Sequence, residues 1–340
     1  MKNIIIKFSM RGSIDDEYSK YRFQTPNNFG IWKSCKFTFN PLVDDYDWFV
    51  VVDDIPVIVP NRIEKLKCPK ENTILVTTEP SSISRYGRGF ASQFNYLITN
   101  QEKEILPHKD TQRTQTGIYW LYGKDYDEII KDNDGITKNK LISTICSDKQ
   151  EGHTLHKKRF DFTALLEKEV LELERFGRGF NFIEKKYQAI DDYKFHVVVE
   201  NHIGEHMWSE KLADALLGFS VPIYCGAPNI YDYFPEGSII TIDIYDFENS
   251  LAKIKDIISR PGEYERRLPA IKEARKLVIE KYNLVAMITD IVDNAPKNKF
   301  TPDVKIYSRR QMRVKYLPDL FRFIGFRISN FIKDKFGVKK

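Results

Sequence analysis

Residues 193–226 read YKFHVVVENHIGEHMWSEKLADALLGFSVPIYCG, and this stretch decides the fold. Phe195 to Val199 is apolar and β-branched without alternation, the pattern of a strand buried on both faces of a parallel sheet. It ends in Glu200-Asn201-His202, polar residues where such a sheet opens to its ligand. A loop containing Gly204 leads to Ser209, a predicted N-cap, and the spacing predicts a helix over Glu210 to Leu217 closed by Gly218. Val221 to Tyr224 resumes a buried strand, and Gly226 with Pro228 turns the chain away. Lys211 falls in the first turn of that helix, where the macrodipole disfavours a cation by roughly 0.3–1 kcal/mol. Two readings fit: a phosphate site on the helix N-terminus, or a lysine that extends into water at small cost.

Taken in order and spacing, Tyr193-Lys194-Phe195, Val199-Glu200-Asn201, Ser209-Glu210-Lys211 and Val221-Pro222-Ile223 through Pro235 resemble the donor-binding region of the family 10 glycosyltransferases, the α-1,3/4-fucosyltransferases. That family reads Tyr-Lys-Phe, Phe-Glu-Asn-Ser, Thr-Glu-Lys and Val-Pro-(Ile/Val)-x-x-Gly. Val199 replaces its aromatic, His202 its serine, and Met207 a tyrosine common three residues before the Glu-Lys pair. The resemblance implies an α/β, GT-B-like fold, with two Rossmann-like domains facing a central cleft. It also implies inverting, metal-independent transfer of L-fucose from GDP-fucose to a GlcNAc- or Glc-type glycan residue at the 3-position. The three departures leave room for another nucleotide sugar.

Composition sets the outer limits. The 340 residues suffice for two domains, and 42% hydrophobic with 13% aromatic residues is far from a disordered composition. A net charge of +5 suits anionic small molecules or lipid headgroups and falls short of a dedicated nucleic-acid binder. Cys35, Cys68, Cys146 and Cys225 are scattered, with no metal-ligand spacing, and read as free thiols in a reducing compartment. The start, MKNIIIKFSMRGS, is interrupted too soon by Lys7 and Arg11 for a signal peptide. No stretch reaches the ~18 apolar residues of a membrane span. The chain therefore resembles the anchorless bacterial members, and a cytoplasmic location is expected, with peripheral contact on the inner face of the membrane.

The N-terminal part, expected as an acceptor-side domain over 1–135, has predicted strands at Ile4–Phe8, Trp48–Val52, Ile74–Thr78 and Phe94–Thr99. Phe29–Phe39 reads as irregular, Pro60–Leu66 as a short helix, and 124–140 as a linker. Asp53-Asp54 reads as the end of a strand opening into a loop, rather than a metal-binding acidic pair. The donor domain is expected over 136–300. Its predicted strand Leu141–Ile145 is followed by a long helix from about Thr154 to Leu173, whose first turns carry Lys157, Lys158 and Arg159. Two basic helix N-termini in one domain favour a shared anion site more than either does alone. Phe176-Gly177-Arg178-Gly179-Phe180 is a turn that brings Arg178 as a third candidate cation; the same Gly-Arg-Gly at Gly87–Gly89 reads as coincidence. Tyr245–Ile258 and Gly262–Asp293 read as helices packing on the outside of the sheet. A basic amphipathic tail, 301–340, places Phe321, Ile324, Ile328, Phe331 and Ile332 at near-helical spacing. That tail either packs on the N-terminal domain or lies on an anionic membrane, where lipid-linked or lipopolysaccharide acceptors are found.

The resemblance assigns roles to residues. Arg159, with Lys158 as the alternative, and Lys211 would receive the leaving diphosphate; Glu210 would hold the ribose. Asn201, Glu200, His196 and Arg178 complete the donor contacts. Glu79, just past a strand end, is the expected catalytic base, with Asp53 and Asp54 as fallbacks. No cofactor and no metal are expected. The competing class is a non-catalytic glycan- or nucleotide-binding module, and a nucleic-acid role has only the basic aromatic tail in its favour.

Overall fold

The computed structural model describes residues 3–11, 19–117, 119–148 and 155–336. The expected helix start near Thr154 lies outside the described residues, as do Met1, Lys2, 12–18, Ile118, 149–153 and 337–340. The chain forms two compact units. The first comprises Met1–Tyr119, Asp125–Asp127 and Asn283–Lys335, and the second Trp120–Lys124, Glu128–Tyr282 and Phe336–Lys340. The division falls near Tyr119, not at 135. The donor domain also ends at Tyr282 rather than 300, because the chain returns to the first unit.

Each unit is built on a parallel sheet. In the first, the strands run Ile31–Trp32, Cys35–Thr38, Ile4–Met10, Trp48–Val52, Thr73–Val76, Tyr96–Thr99 and Thr111–Arg113, with only the short first strand antiparallel. The two faces follow the period-2 alternation of a pleated sheet. Ile6, Phe8, Val50, Val52, Ile74 and Val76 pack on one side, where the helix Leu284–Asn294 supplies Leu284, Val285 and Ile288. Phe49, Val51, Leu75 and Leu97 pack on the other, beneath Phe90, Phe94 and Ile306. At about 1.5–3 kcal/mol for each large side chain removed from water, the returning helix is part of the first core.

The segment 29–39 is not irregular: it holds two strands, Ile31–Trp32 and Cys35–Thr38, because alternate residues Cys35 and Phe37 bury against that core. Pro60–Leu66 is not a helix. A single 3-10 turn at Pro60–Arg62 gives way to the strand Ile63–Lys65, which pairs antiparallel with Lys305–Tyr307. The linker 124–140 contains a helix, Tyr126–Lys131.

In the second unit all pairings are parallel, in the order Leu173–Phe176, Lys140–Ile145, Tyr193–Val199, Val221–Cys225, Ile240–Thr241. This is a doubly wound 2-1-3-4-5 arrangement, whose topological switch lies between Lys140–Ile145 and Tyr193–Val199. The helix expected to reach Leu173 runs His156–Glu169, and Leu173 begins a strand instead. The helix Glu210–Leu217 and its Ser209 cap match the sequence reading. Phe247–Ser259 and Glu263–Glu280 follow.

The C-terminal tail divides into Arg309–Lys315 and Leu317–Phe336, and its first half packs on the first unit. Asp319 accepts hydrogen bonds from the backbone N–H groups of Arg88 (2.9 Å), Gly89 (2.9 Å) and Phe90 (3.3 Å). A Cβ on Gly89 would meet the Tyr316 ring at 2.6 Å. The Gly-Arg-Gly of 87–89 is therefore the seat of the tail and not a coincidence of composition. Among the described residues no helix is long and apolar enough to cross a membrane.

Candidate donor site in the second unit

The strand Tyr193–Val199 ends at Glu200, which is fully buried. A buried carboxylate needs partners, and Glu200 has them: the Ser209 N–H at 2.8 Å, the Ser209 hydroxyl at 2.7 and 2.9 Å, and the Lys211 ammonium at 3.3 Å. Glu200 thus ties the strand end to the cap of the Glu210–Leu217 helix. Lys211 also reaches the Glu210 carboxylate at 3.3 Å and the Ser209 hydroxyl at 3.1 Å. The cation at the wrong end of the dipole is explained locally: it balances two carboxylates. Burial pushes its ammonium down, but Glu210 and Glu200 together raise it above its ordinary value. Burial likewise pushes Glu210 up, yet Lys211 and Lys186 outweigh it and hold that carboxyl at about 2.

Around these groups lies a pocket of about 170 Å³ at the switch point of the sheet. Its polar wall is made by Ser147, Arg159, Lys186, His196, Glu210, Lys211 and Asp214. Arg159, buried on the first turn of His156–Glu169, donates from Nη1 to the Asn201 amide oxygen at 2.7 Å and from Nη2 to the Ser147 hydroxyl at 3.4 Å. Among the described residues both partners are neutral, and its Nε–H, buried from solvent, has none. Among the described residues Arg159 is the cation of this pocket with no carboxylate partner.

His196 is fixed as one tautomer. The Ser143 hydroxyl donates to the Ala189 carbonyl at 2.6 Å, so at 2.8 Å it must accept from His196 Nδ1–H, leaving Nε2 as an acceptor. Burial depresses the imidazole to about 3, keeping it neutral across the physiological range. Sequence reading missed Lys186 and Asp214, which pair at 2.7 Å. Burial raises the Asp214 carboxyl to about 6 in spite of that pairing, and its Oδ1 accepts from the Leu121 N–H. Asp214 was findable, since it lies one helical turn after Glu210 in an otherwise apolar run. Lys186, in a charged loop before the central strand, carried no signal.

Two expected donor residues are elsewhere. Lys158 is exposed, with its ammonium 3.5 Å from the centre of the Tyr245 ring, and does not line the pocket. Successive helical residues point about 100° apart, so only Arg159 of the pair faces inward. Arg178 is also exposed and outside the pocket wall. Its Gly-Arg-Gly turn serves backbone packing: Gly177 has φ +126°, and a Cβ there would come within 2.1 Å of the Cys146 carbonyl oxygen. The four cysteines are buried free thiols.

Residues 136–268 match the family model described as glycosyltransferase family 10 (fucosyltransferase) C-term. That segment is similar to the C-terminal domain of the family 10 fucosyltransferases. Its relatives agree over short segments. An α-(1,3)-fucosyltransferase of Helicobacter pylori is 29% identical over 87 residues, 25% of this chain and 18% of that protein. An α-(1,4)-fucosyltransferase of Arabidopsis thaliana is 46% identical over 52 residues, 15% and 13% of the respective lengths. The GDP-fucose protein O-fucosyltransferase 3 of Gallus gallus is 36% identical over 84 residues, 24% and 18%. The chain thus spans less than a fifth of the length of each of these three. An α1,3-fucosyltransferase crystal structure with GDP superposes with TM-score 0.51 at 18% identity, over 83% of this chain and 91% of that one. An α-glucosyltransferase in complex with UDP-glucose and DNA reaches 0.50 at 12%, over 86% and 100%. The architecture is that of the GT-B glycosyltransferases, and Arg159, Glu210 and Lys211 of the pocket fall within the residues matched by the family model.

In the first unit, Glu79 follows the strand Thr73–Val76 and is half-buried. The fallback bases are both committed. Asp53 accepts from the Thr78 N–H at 2.8 Å, the Thr78 hydroxyl at 2.5 Å and the Tyr86 hydroxyl. Asp54 accepts from the Arg62 guanidinium at 2.5 Å and the Arg309 N–H at 2.9 Å. Both carboxylates thus tie loops of the first unit together.

Proposed function

We propose that the protein transfers L-fucose from GDP-fucose, with inversion and without a metal, to a hydroxyl of a GlcNAc- or Glc-type glycan residue, forming an α-1,3 linkage. The observation that carries this reading is Arg159: a buried guanidinium whose Nε–H has no partner among the described residues, in a pocket at the sheet's switch point. Such a donor is matched by a diphosphate oxygen, and a preorganised cation stabilises the charge that develops as the leaving group departs. Glu210, held ionised by Lys211 and Lys186, suits a ribose hydroxyl. Glu79 takes the proton of the acceptor hydroxyl. The acceptor oxygen then bonds to the anomeric carbon, and the bond to the diphosphate breaks with its electron pair leaving on GDP.

Calorimetry with GDP, UDP, ADP and CMP is the test of donor class. Selective GDP binding, unaffected by EDTA, is expected. Preference for another nucleotide would retain the transferase and overturn the fucose assignment. Nucleotide binding without turnover over an acceptor panel would favour the non-catalytic module, and inhibition by EDTA that Mn²⁺ reverses would overturn the metal-free mechanism.

The tail supports a peripheral membrane contact in a cytoplasmic protein acting on lipid-linked or lipopolysaccharide glycans. Phe321 and Phe331 are 67% and 62% exposed on Leu317–Phe336, Ile324 and Ile328 are also exposed, and Arg322 and Arg327 are exposed beside them. An apolar face flanked by cations suits an anionic headgroup layer. Co-sedimentation with phosphatidylglycerol vesicles, reduced at least tenfold in a Phe321→Ser/Phe331→Ser variant, is expected. Equal sedimentation of both proteins would remove the tail from membrane binding.

A further inference from the structure

The peptide that carries Glu79 is held at every point the backbone offers. Its N–H donates to the Tyr86 hydroxyl at 3.1 Å, and its carbonyl accepts from the Gln101 side-chain amide at 2.9 Å. The preceding Thr78 N–H is shared between Asp53 Oδ1 at 2.8 Å and the Tyr86 hydroxyl at 3.2 Å. The Thr78 hydroxyl donates to Asp53 Oδ2, and the Tyr86 hydroxyl donates to Asp53 Oδ1. Asp53 makes these contacts from a left-handed conformation, φ +65°, which a non-glycine residue adopts at a cost of order 1–3 kcal/mol. Tyr86 is 2% exposed, so its hydroxyl has no solvent alternative.

The far side of the Tyr86 ring is covered from the C-terminal segment. The Arg309 guanidinium lies 4.4 Å from the ring centre. Its Nη2 donates to the Ser84 hydroxyl at 2.9 Å and to the Arg85 carbonyl at 2.6 Å. Arg309 thereby ties down the 84–86 turn that presents the tyrosine. A strained aspartate holds the Thr78 amide, a buried phenol holds the Thr78 and Glu79 amides, and an arginine stacks on that phenol.

We infer that Asp53 and Tyr86, braced by Arg309, are positioning residues for Glu79. The inference rests on the reading of Glu79 as the base. Fixing the peptide at its N–H and its carbonyl sets the direction in which the carboxylate leaves the chain. A misplacement of about 1 Å is enough to cost about a hundredfold in a proton-transfer step. The clamp acts on rate and not on donor binding, because none of its residues lines the Arg159 pocket.

The test uses the full chain with GDP-fucose and N-acetyllactosamine, reading GDP release, GDP affinity and amide hydrogen exchange over 73–86. Tyr86→Phe removes the hydroxyl and keeps the ring on which Arg309 stacks. Its kcat should fall about 10–100-fold with KM for GDP-fucose and GDP affinity unchanged, while exchange at Thr78 and Glu79 accelerates. Asp53→Asn, which keeps an acceptor for the Thr78 N–H, should recover part of the activity that Asp53→Ala loses. In a Glu79→Gln background, Tyr86→Phe should cause no further loss, since there is no carboxylate left to position.

Wild-type kcat in Tyr86→Phe beside an inactive Glu79→Gln would overturn the positioning role and leave the base assignment standing. A fully active Glu79→Gln would overturn the base assignment and this inference with it. Parallel losses in GDP affinity and kcat, or an additive loss in the double variant, would make the clamp merely structural and overturn the inference. If Tyr86→Phe does not fold, the Asp53→Asn and Asp53→Ala pair decides: equal kcat in the two refutes the role.

Discussion

Glu79→Gln should lower turnover by about 10²–10⁴-fold while GDP affinity stays within about twofold, the range expected for removing a positioned general base. Glutamine keeps the size and the backbone of glutamate, so the clamp from Asp53, Tyr86 and Gln101 to the 78–79 peptide should persist. What is lost is the capacity to take a proton. Position supports the assignment: the strand Thr73–Val76 is an interior member of a parallel sheet, and ligands of such sheets sit beyond the carboxyl ends of the strands. The neighbouring carboxylates do not compete, because Asp53 and Asp54 are already consumed by loop and tail contacts. GDP-fucose turnover and GDP calorimetry on the same preparation check it. Unchanged kcat would dismiss Glu79 as base.

Arg159→Ala should weaken GDP binding by roughly 30–150-fold, the loss of charge-assisted hydrogen bonds of about 2–3 kcal/mol, and reduce kcat as well. Stability should change little beyond the packing term, because the hydrogen-bonding partners of Arg159 are the neutral Asn201 and Ser147. Lys211→Ala behaves differently. It removes the cation beside the fully buried Glu200 carboxylate and leaves Glu210 with Lys186 alone, at 3.7 Å, and breaking a buried pair from one side costs up to about 3–5 kcal/mol, less here because the lysine side chain is 23% exposed. A fall in GDP affinity in that variant therefore mixes a lost phosphate contact with a damaged fold. Pairing Lys211→Met with Glu200→Gln separates the two, since the double variant removes the stranded charge. Equal GDP affinity in wild type and Arg159→Ala would take the diphosphate away from this pocket.

Much of this was legible in the residues from 193 to 226. An unbroken β-branched run, a polar strand end, a serine cap and a glycine stop specify strand, loop and helix through local chemistry alone, and the structure follows them nearly residue for residue. The resemblance carried by the same stretch led to the family 10 domain. Local signals failed where long-range partners decide. Ile63–Lys65 is a strand because Lys305–Tyr307 pairs with it from more than two hundred residues away, and no pattern in its own window announces that. Leu173 joins a strand because it pairs with Ile142, overriding the helical periodicity it extends.

Charge shows the same division. The sequence by itself determined that basic residues open two helices of one domain, and that Glu79 and Asp53-Asp54 stand beside strand ends. Only the tertiary structure decided which of these charges are available. Three cations and three carboxylates converge from Ser209–Leu217, His156–Glu169, the Lys186 turn and the end of Tyr193–Val199. Once assembled, Lys211 and Lys186 are paired with carboxylates, whereas Arg159 keeps a buried N–H that has no partner among the described residues. The reason is physical: a sequence lists charges, but their mutual neutralisation depends on distances of about 3 Å set by packing, where the local dielectric makes each pairing count.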